Sequence, residues 1–98
     1  MPLTVEIRTP EGGVLQREHE HSVELGNAMP EFDAIDYPTL RLVDPYGDTY
    51  FSGYQMKAVI PELERLALAH PGPAIGRVLE MARRVQGAQQ TFLVFVGD

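Results

Sequence analysis

The segment Thr91-Phe92-Leu93-Val94-Phe95-Val96 constrains the fold more than any other part of this chain. It carries large apolar side chains on both faces of an extended strand, so it belongs inside a sheet with at least one helix covering it. Its apolar core, Phe92 to Val96, is far shorter than the roughly 20 residues a membrane-spanning helix needs. The other apolar residues also come in separate clusters, as in a globular chain.

Leu3 to Thr9 alternates: Leu3, Val5 and Ile7 point one way, Thr4, Glu6 and Arg8 the other. That pattern predicts a half-buried strand. Pro10-Glu11-Gly12-Gly13 supplies turn residues, so Val14 to His19 returns antiparallel as a more polar edge strand. From Ser22 to Pro38 periodicity fails, interrupted by Gly26, Asn27, Pro30 and Pro38. This reads as a long connection with a short helical turn, pinned to the body by Met29, Phe32, Ile35 and Tyr37.

Thr39 to Val43 and Thr49 to Ser52 read as strands flanking Asp44-Pro45-Tyr46-Gly47-Asp48. Asp44 can accept a turn hydrogen bond, Pro45 presets φ, and Gly47 suits a left-handed bulge. Ser52-Gly53-Tyr54-Gln55 has the form of a capping box. The helix that follows places Met56, Val59, Ile60, Leu63, Leu66 and Ala67 on one stripe, with a kink or restart expected at Pro61. His70-Pro71-Gly72-Pro73 ends it, and a second helix over 74–86 turns Ile75, Val78, Leu79, Ala82 and Val85 inward. On its outer side Glu80 can pair with Arg83 or Arg84.

The order is β-β-loop-β-β-α-α-β. It predicts one α+β domain over residues 1–98: about five mainly antiparallel strands in a single layer, covered by two helices. With no cysteine among 98 residues, neither disulfides nor thiolate chemistry contributes. The start, MPLTVEIRTP, has neither a basic leader nor an apolar signal segment, so the cytoplasm is the expected compartment.

Net charge is −6, and it is unevenly spread. Residues 1–50 carry ten acids and three bases, residues 51–98 four acids and five bases. An acidic first half repels nucleic acid and anionic membrane and attracts basic proteins. Neither nucleic acid nor membrane is an expected partner. Ser22 and Ser52 are the only serines, neither in a nucleophile elbow, and no glycine loop is followed by the lysine that cradles phosphate. A non-catalytic protein without a cofactor is therefore expected.

Two patterns remain for binding. His19 and His21 share one face of an extended strand, a spacing some metal sites use, but three or four ligands must converge. With loop carboxylates they form the alternative reading, a metal or small-molecule site. The tyrosines and acids of the middle stretch form the leading one. Tyr46 occupies a turn tip and Tyr50 follows on the next strand, with Asp33, Asp36, Asp44 and Asp48 around them. Tyrosine offers rigid contact area with a polar tip, which suits an interface.

With Asp44-Pro45-Tyr46-Gly47-Asp48-Thr49, Gln55-Met56 and the terminal Phe95-Val96-Gly97-Asp98 in view, the chain resembles a group of short uncharacterised bacterial proteins. That group joins a DPYGDT hairpin to a QM helix start and a C-terminal aromatic-x-GD. The resemblance covers residues 37–98, and Tyr50 to Tyr54 departs from the polar spacing seen there. It implies a shared fold and no activity. In size and charge the chain also looks like immunity proteins that neutralise basic toxin domains, an analogy and no more. The expected function is interaction with a basic protein through Asp33, Asp36, Asp44, Tyr46, Asp48 and Tyr50. A homodimer is a third expectation, formed by pairing of the Val14–His19 strand or the last strand across a two-fold axis.

Overall fold

The N-terminal alternation is realised in the computed structural model, which describes residues 2–97. Strand β1 (Leu3–Arg8) buries Leu3, Val5 and Ile7 in the core and turns Thr4, Glu6 and Arg8 to the opposite face. Gly12, at φ +92°, takes a conformation that side chains oppose, and the chain returns as β2 (Val14–Glu18). Register between these strands shifts at Ile7/Arg8, leaving a bulge in the edge strand.

Helix α1 (Ser22–Ala28) follows, a regular element within the segment expected to be a connection. Only Leu25 is buried in it. Gly26 and Asn27 weaken its intrinsic propensity, so docking against β1 sustains it rather than periodicity.

The strand expected at Thr39 to Val43 is absent, and among the described residues the sheet has four strands rather than five. Leu40–Leu42 instead form a 3-10 turn. The cause lies in helix α2 (Met56–Ala69), where the buried carboxylate of Glu62 accepts hydrogen bonds from this segment. Thr39 N–H donates to both oxygens at 3.0 and 3.1 Å, and Leu40 N–H to Oε1 at 2.8 Å. Amides that a strand would give to a neighbour are held by a side chain, so Leu40 drops into the core while Leu42 stays exposed.

The turn before β3 (Asp48–Ser52) follows the expected chemistry in part. Asp44 Oδ1 accepts from Tyr46 N–H at 2.8 Å, and Thr49 Oγ1 accepts from Asp44 N–H at 2.9 Å. Gly47 is not left-handed. Its small size serves another purpose, since a Cβ there would lie 2.9 Å from Asp44 Oδ2. The capping box forms as expected: Ser52 N–H donates to Gln55 Oε1 at 2.8 Å and Gln55 N–H to Ser52 Oγ at 3.3 Å. Helix α2 then runs unbroken through Pro61, whose missing amide leaves only the exposed Lys57 carbonyl without an intrahelical partner.

Helix α3 (Pro73–Gly87) buries Ala74, Ile75, Val78, Met81, Ala82 and Val85 and packs along α2. Its outer arginines reach to other elements: Arg83 pairs with Glu64 at 3.1 Å, and Arg84 donates to Gln16. Strand β4 (Phe92–Gly97) completes an antiparallel sheet of order β2-β1-β4-β3. Helical side chains join Leu3, Val5, Ile7, Phe51, Leu93 and Phe95, which share one sheet face, in a single core. The second apolar row of β4 has a different cover. Val94 is completely buried beneath its cross-strand neighbours Glu6 and Tyr50, on a face that carries no helix of the core. No helix among the described residues is long and apolar enough to cross a membrane.

Candidate functional site

The segment between α1 and β3 folds over the start of β1 and leaves a cleft of about 540 Å³. That volume is ample for side chains of a docking partner. Met29, Pro30 and Phe32 form one wall, Leu42, Val43 and Pro45 the other, and Leu3 the floor. Glu31, Arg41 and Asp44 stand among these apolar residues. Arg41 donates to the Phe32 carbonyl at 3.3 Å, and its guanidinium lies 5.8 Å from the Phe32 ring centroid. Among the described residues its Nε is buried without a hydrogen-bond partner.

Two contacts from α2 hold the wall in place. Glu62 grips Thr39 and Leu40, the residues directly before Arg41 and Leu42. Arg65 donates to the Asp36 carbonyl and lies over the Tyr37 ring at 5.4 Å. Met29 and Tyr37 pack on the core as expected, but Phe32 and Ile35 are 73% and 82% exposed. Of these four, Met29 and Tyr37 pin the connection to the core, whereas Phe32 is exposed in the cleft wall and Ile35 is exposed further along the segment.

The six residues expected to bind a partner divide between two surfaces. Asp44 lines the cleft, Tyr46 is exposed on the adjoining turn, and Asp33 and Asp36 are exposed on the segment that forms the first wall. Asp48 and Tyr50 lie on the open face of the sheet, where Arg8 joins them. Its guanidinium contacts Asp48 at 3.2 Å, donates to the Tyr50 hydroxyl, and reaches Glu6 at 2.6 Å. Arg17 meets the other Glu6 oxygen at 2.6 Å. Burial alone would raise the Glu6 pKa; the hydrogen bonds and charges of Arg8 and Arg17 outweigh it and hold the carboxyl below its ordinary value. Desolvation likewise opposes the Arg8 charge, but its three partners prevail and raise its pKa. Asp48 therefore faces an arginine within the molecule and is less available to a partner than the loop acids.

Histidine placement changes the alternative reading. Glu18, Glu20 and His21 bring ligand atoms within 4.8 Å of one another, and His19 is not part of the group. His21 Nδ1 lies 3.1 Å from Glu18 Oε1. Sequence reasoning missed Arg41 and Leu42, because the stretch around them reads as strand, and it missed Glu62, whose role depends on a segment far away in the chain. No family model, curated protein or solved structure matches this chain.

Proposed function

We propose that this chain is a non-catalytic interaction module that docks a basic protein, in the manner of an immunity protein or antitoxin. The observation that carries the reading is a largely apolar cleft whose lining holds two acids, Glu31 and Asp44, against one cation, Arg41, with Asp33 and Asp36 exposed on the segment that walls it. An aliphatic or aromatic side chain flanked by Lys or Arg suits that combination: its apolar part fills the cleft and the cations meet the acids. Tyr46 extends the contact area from the adjoining turn.

The test uses a peptide probe with one central Phe or Leu between lysines, titrated calorimetrically into the full chain. Binding is expected to weaken at least about tenfold between about 50 mM and about 300 mM salt as screening shortens. Asp33→Lys with Asp36→Lys is expected to weaken it similarly, and Leu42→Asp to abolish it. Affinity that ignores both salt and the charge reversals refutes the reading.

A second reading, divalent metal binding, is favoured by the Glu18, Glu20 and His21 grouping. Calorimetry with zinc separates the two: a submicromolar site that is lost in His21→Ala would place metal binding first.

A further inference from the structure

Of the two outer strands, β2 is the better protected against pairing with another chain. Strand β2 is bulged and carries Arg17 and Glu18. Both features discourage an added strand. Strand β3 has neither a bulge nor a proline or lysine, and keeps continuous register with β4 over its length. The last strand, β4, is paired on both sides and offers no edge.

Hydrogen-bond parity shows which groups β3 presents. Gly97 N–H donates to the Gly47 carbonyl at 2.9 Å, directly across the ladder. Gly47, Thr49 and Phe51 therefore turn their backbone groups toward β4, and Asp48, Tyr50 and Ser52 turn theirs to the open edge. Gln55 Oε1 occupies the outward Ser52 amide. Among the described residues, the outward amides of Asp48 and Tyr50 have no such cover.

The strand residues in phase with that edge are Asp48, Tyr50 and Ser52, a tyrosine between two small polar residues whichever way the strand is read. We propose that β3 is a dimerisation edge, through which a second copy of this chain extends the sheet to eight strands. A two-fold axis at Tyr50 pairs the strand with itself in antiparallel register. Tyr50 then lies opposite Tyr50 of the second copy, and Asp48 opposite Ser52, so a hydroxyl meets a carboxylate twice and no like charges face each other. Tyr50 is already held, stacked edge-on against Phe92 at 6.1 Å and overlain by Arg8 at 5.4 Å, so little freedom is lost on pairing. This surface is distinct from the cleft and does not depend on what the cleft binds.

Sedimentation velocity on the full chain from about 1 μM to about 500 μM tests the proposal, a range suited to a small interface. A reversible monomer–dimer equilibrium is expected. Tyr50→Lys sets two ammonium groups across the axis and is expected to abolish the dimer. Because Tyr50 also holds Arg8, a second pair of variants separates contact from folding. Ser52→Asp opposes Asp48 and is expected to raise the dimer dissociation constant about tenfold or more, whereas Ser52→Lys leaves it equal or lower. Aspartate can still accept the capping hydrogen bond from Gln55 N–H and lysine cannot, so a dimer weakened only by Ser52→Asp is not an effect of the lost cap. A chain that remains monomeric throughout overturns the proposal and leaves the edge to an extended segment of another protein. A dimer that responds equally to both Ser52 variants also overturns it, since its interface must then lie elsewhere.

Discussion

Replacing Glu62 by alanine removes the only acceptor that α2 gives to the amides of Thr39 and Leu40. Hydrogen bonds to a charged group contribute about 1.5–3 kcal/mol each. Leu40 is fully buried, so its N–H cannot turn to water, while Thr39 is half-buried and can in part. The expected loss is about 3–5 kcal/mol, a large share of the roughly 5–15 kcal/mol that holds a domain together. At about 4–8 °C per kcal/mol for a domain of this size, the midpoint of thermal unfolding falls by at least about 12 °C. Glu62→Gln keeps one oxygen for Leu40 and loses the charge, so a smaller drop of about 1–2 kcal/mol is expected. Glu64→Ala serves as control: its pair with Arg83 is half-exposed on both sides and contributes less than about 1 kcal/mol. The assay is urea unfolding followed by circular dichroism, with amide exchange read at Thr39 and Leu40. A Glu62→Ala chain within about 1 kcal/mol of the parent, or unchanged protection at Leu40, refutes the clamp.

Gly97→Ala is expected to destabilise by about 2–4 kcal/mol, because a Cβ there lies 2.5 Å from the Pro45 carbonyl oxygen and 2.6 Å from that of Asp44. Both are backbone atoms, so the turn must lift away from β4; an unchanged denaturation midpoint counts against this close approach. Acid is expected to erode the Glu6 network in a defined direction. The unfolded chain takes up the Glu6 proton more readily than the folded one, so the stabilisation is complete above the ordinary glutamate value of about 4.3 and is lost as pH falls through the lowered folded value. The stability difference between the parent and Glu6→Gln should therefore shrink as pH falls below the ordinary glutamate value, and a constant difference refutes the assignment.

What was legible in the sequence was local. β1 announced itself by alternation, α2 by its capping box, and β4 by apolar residues on both faces, and each is where the pattern placed it. The misreading of 39–43 arose from a contact that no local pattern carries, the Glu62 carboxylate gripping two amides from another element. Leu40 and Leu42 look alike in sequence, yet the 3-10 turn sends one into the core and the other to the cleft. α1 was hidden for the opposite reason, since Gly26 and Asn27 obscure a helix whose one fully buried residue is Leu25. Of the site, the acids and Tyr46 were visible as composition. The cleft was not, because it arises from residues at opposite ends of a loop brought over Leu3.

The position of β4 has a consequence for how this chain is made. It pairs with β1 across nearly the whole length of the sequence and with β3 across both long helices. A ribosome therefore releases both neighbours long before the strand that joins them, and until then β1 and β3 each present an unsatisfied inner edge. Closing such distant pairings slows folding and leaves those edges open to wrong partners meanwhile. The hairpin and the helix pair close over short stretches of chain, but the sheet cannot be completed until its central strand has been made.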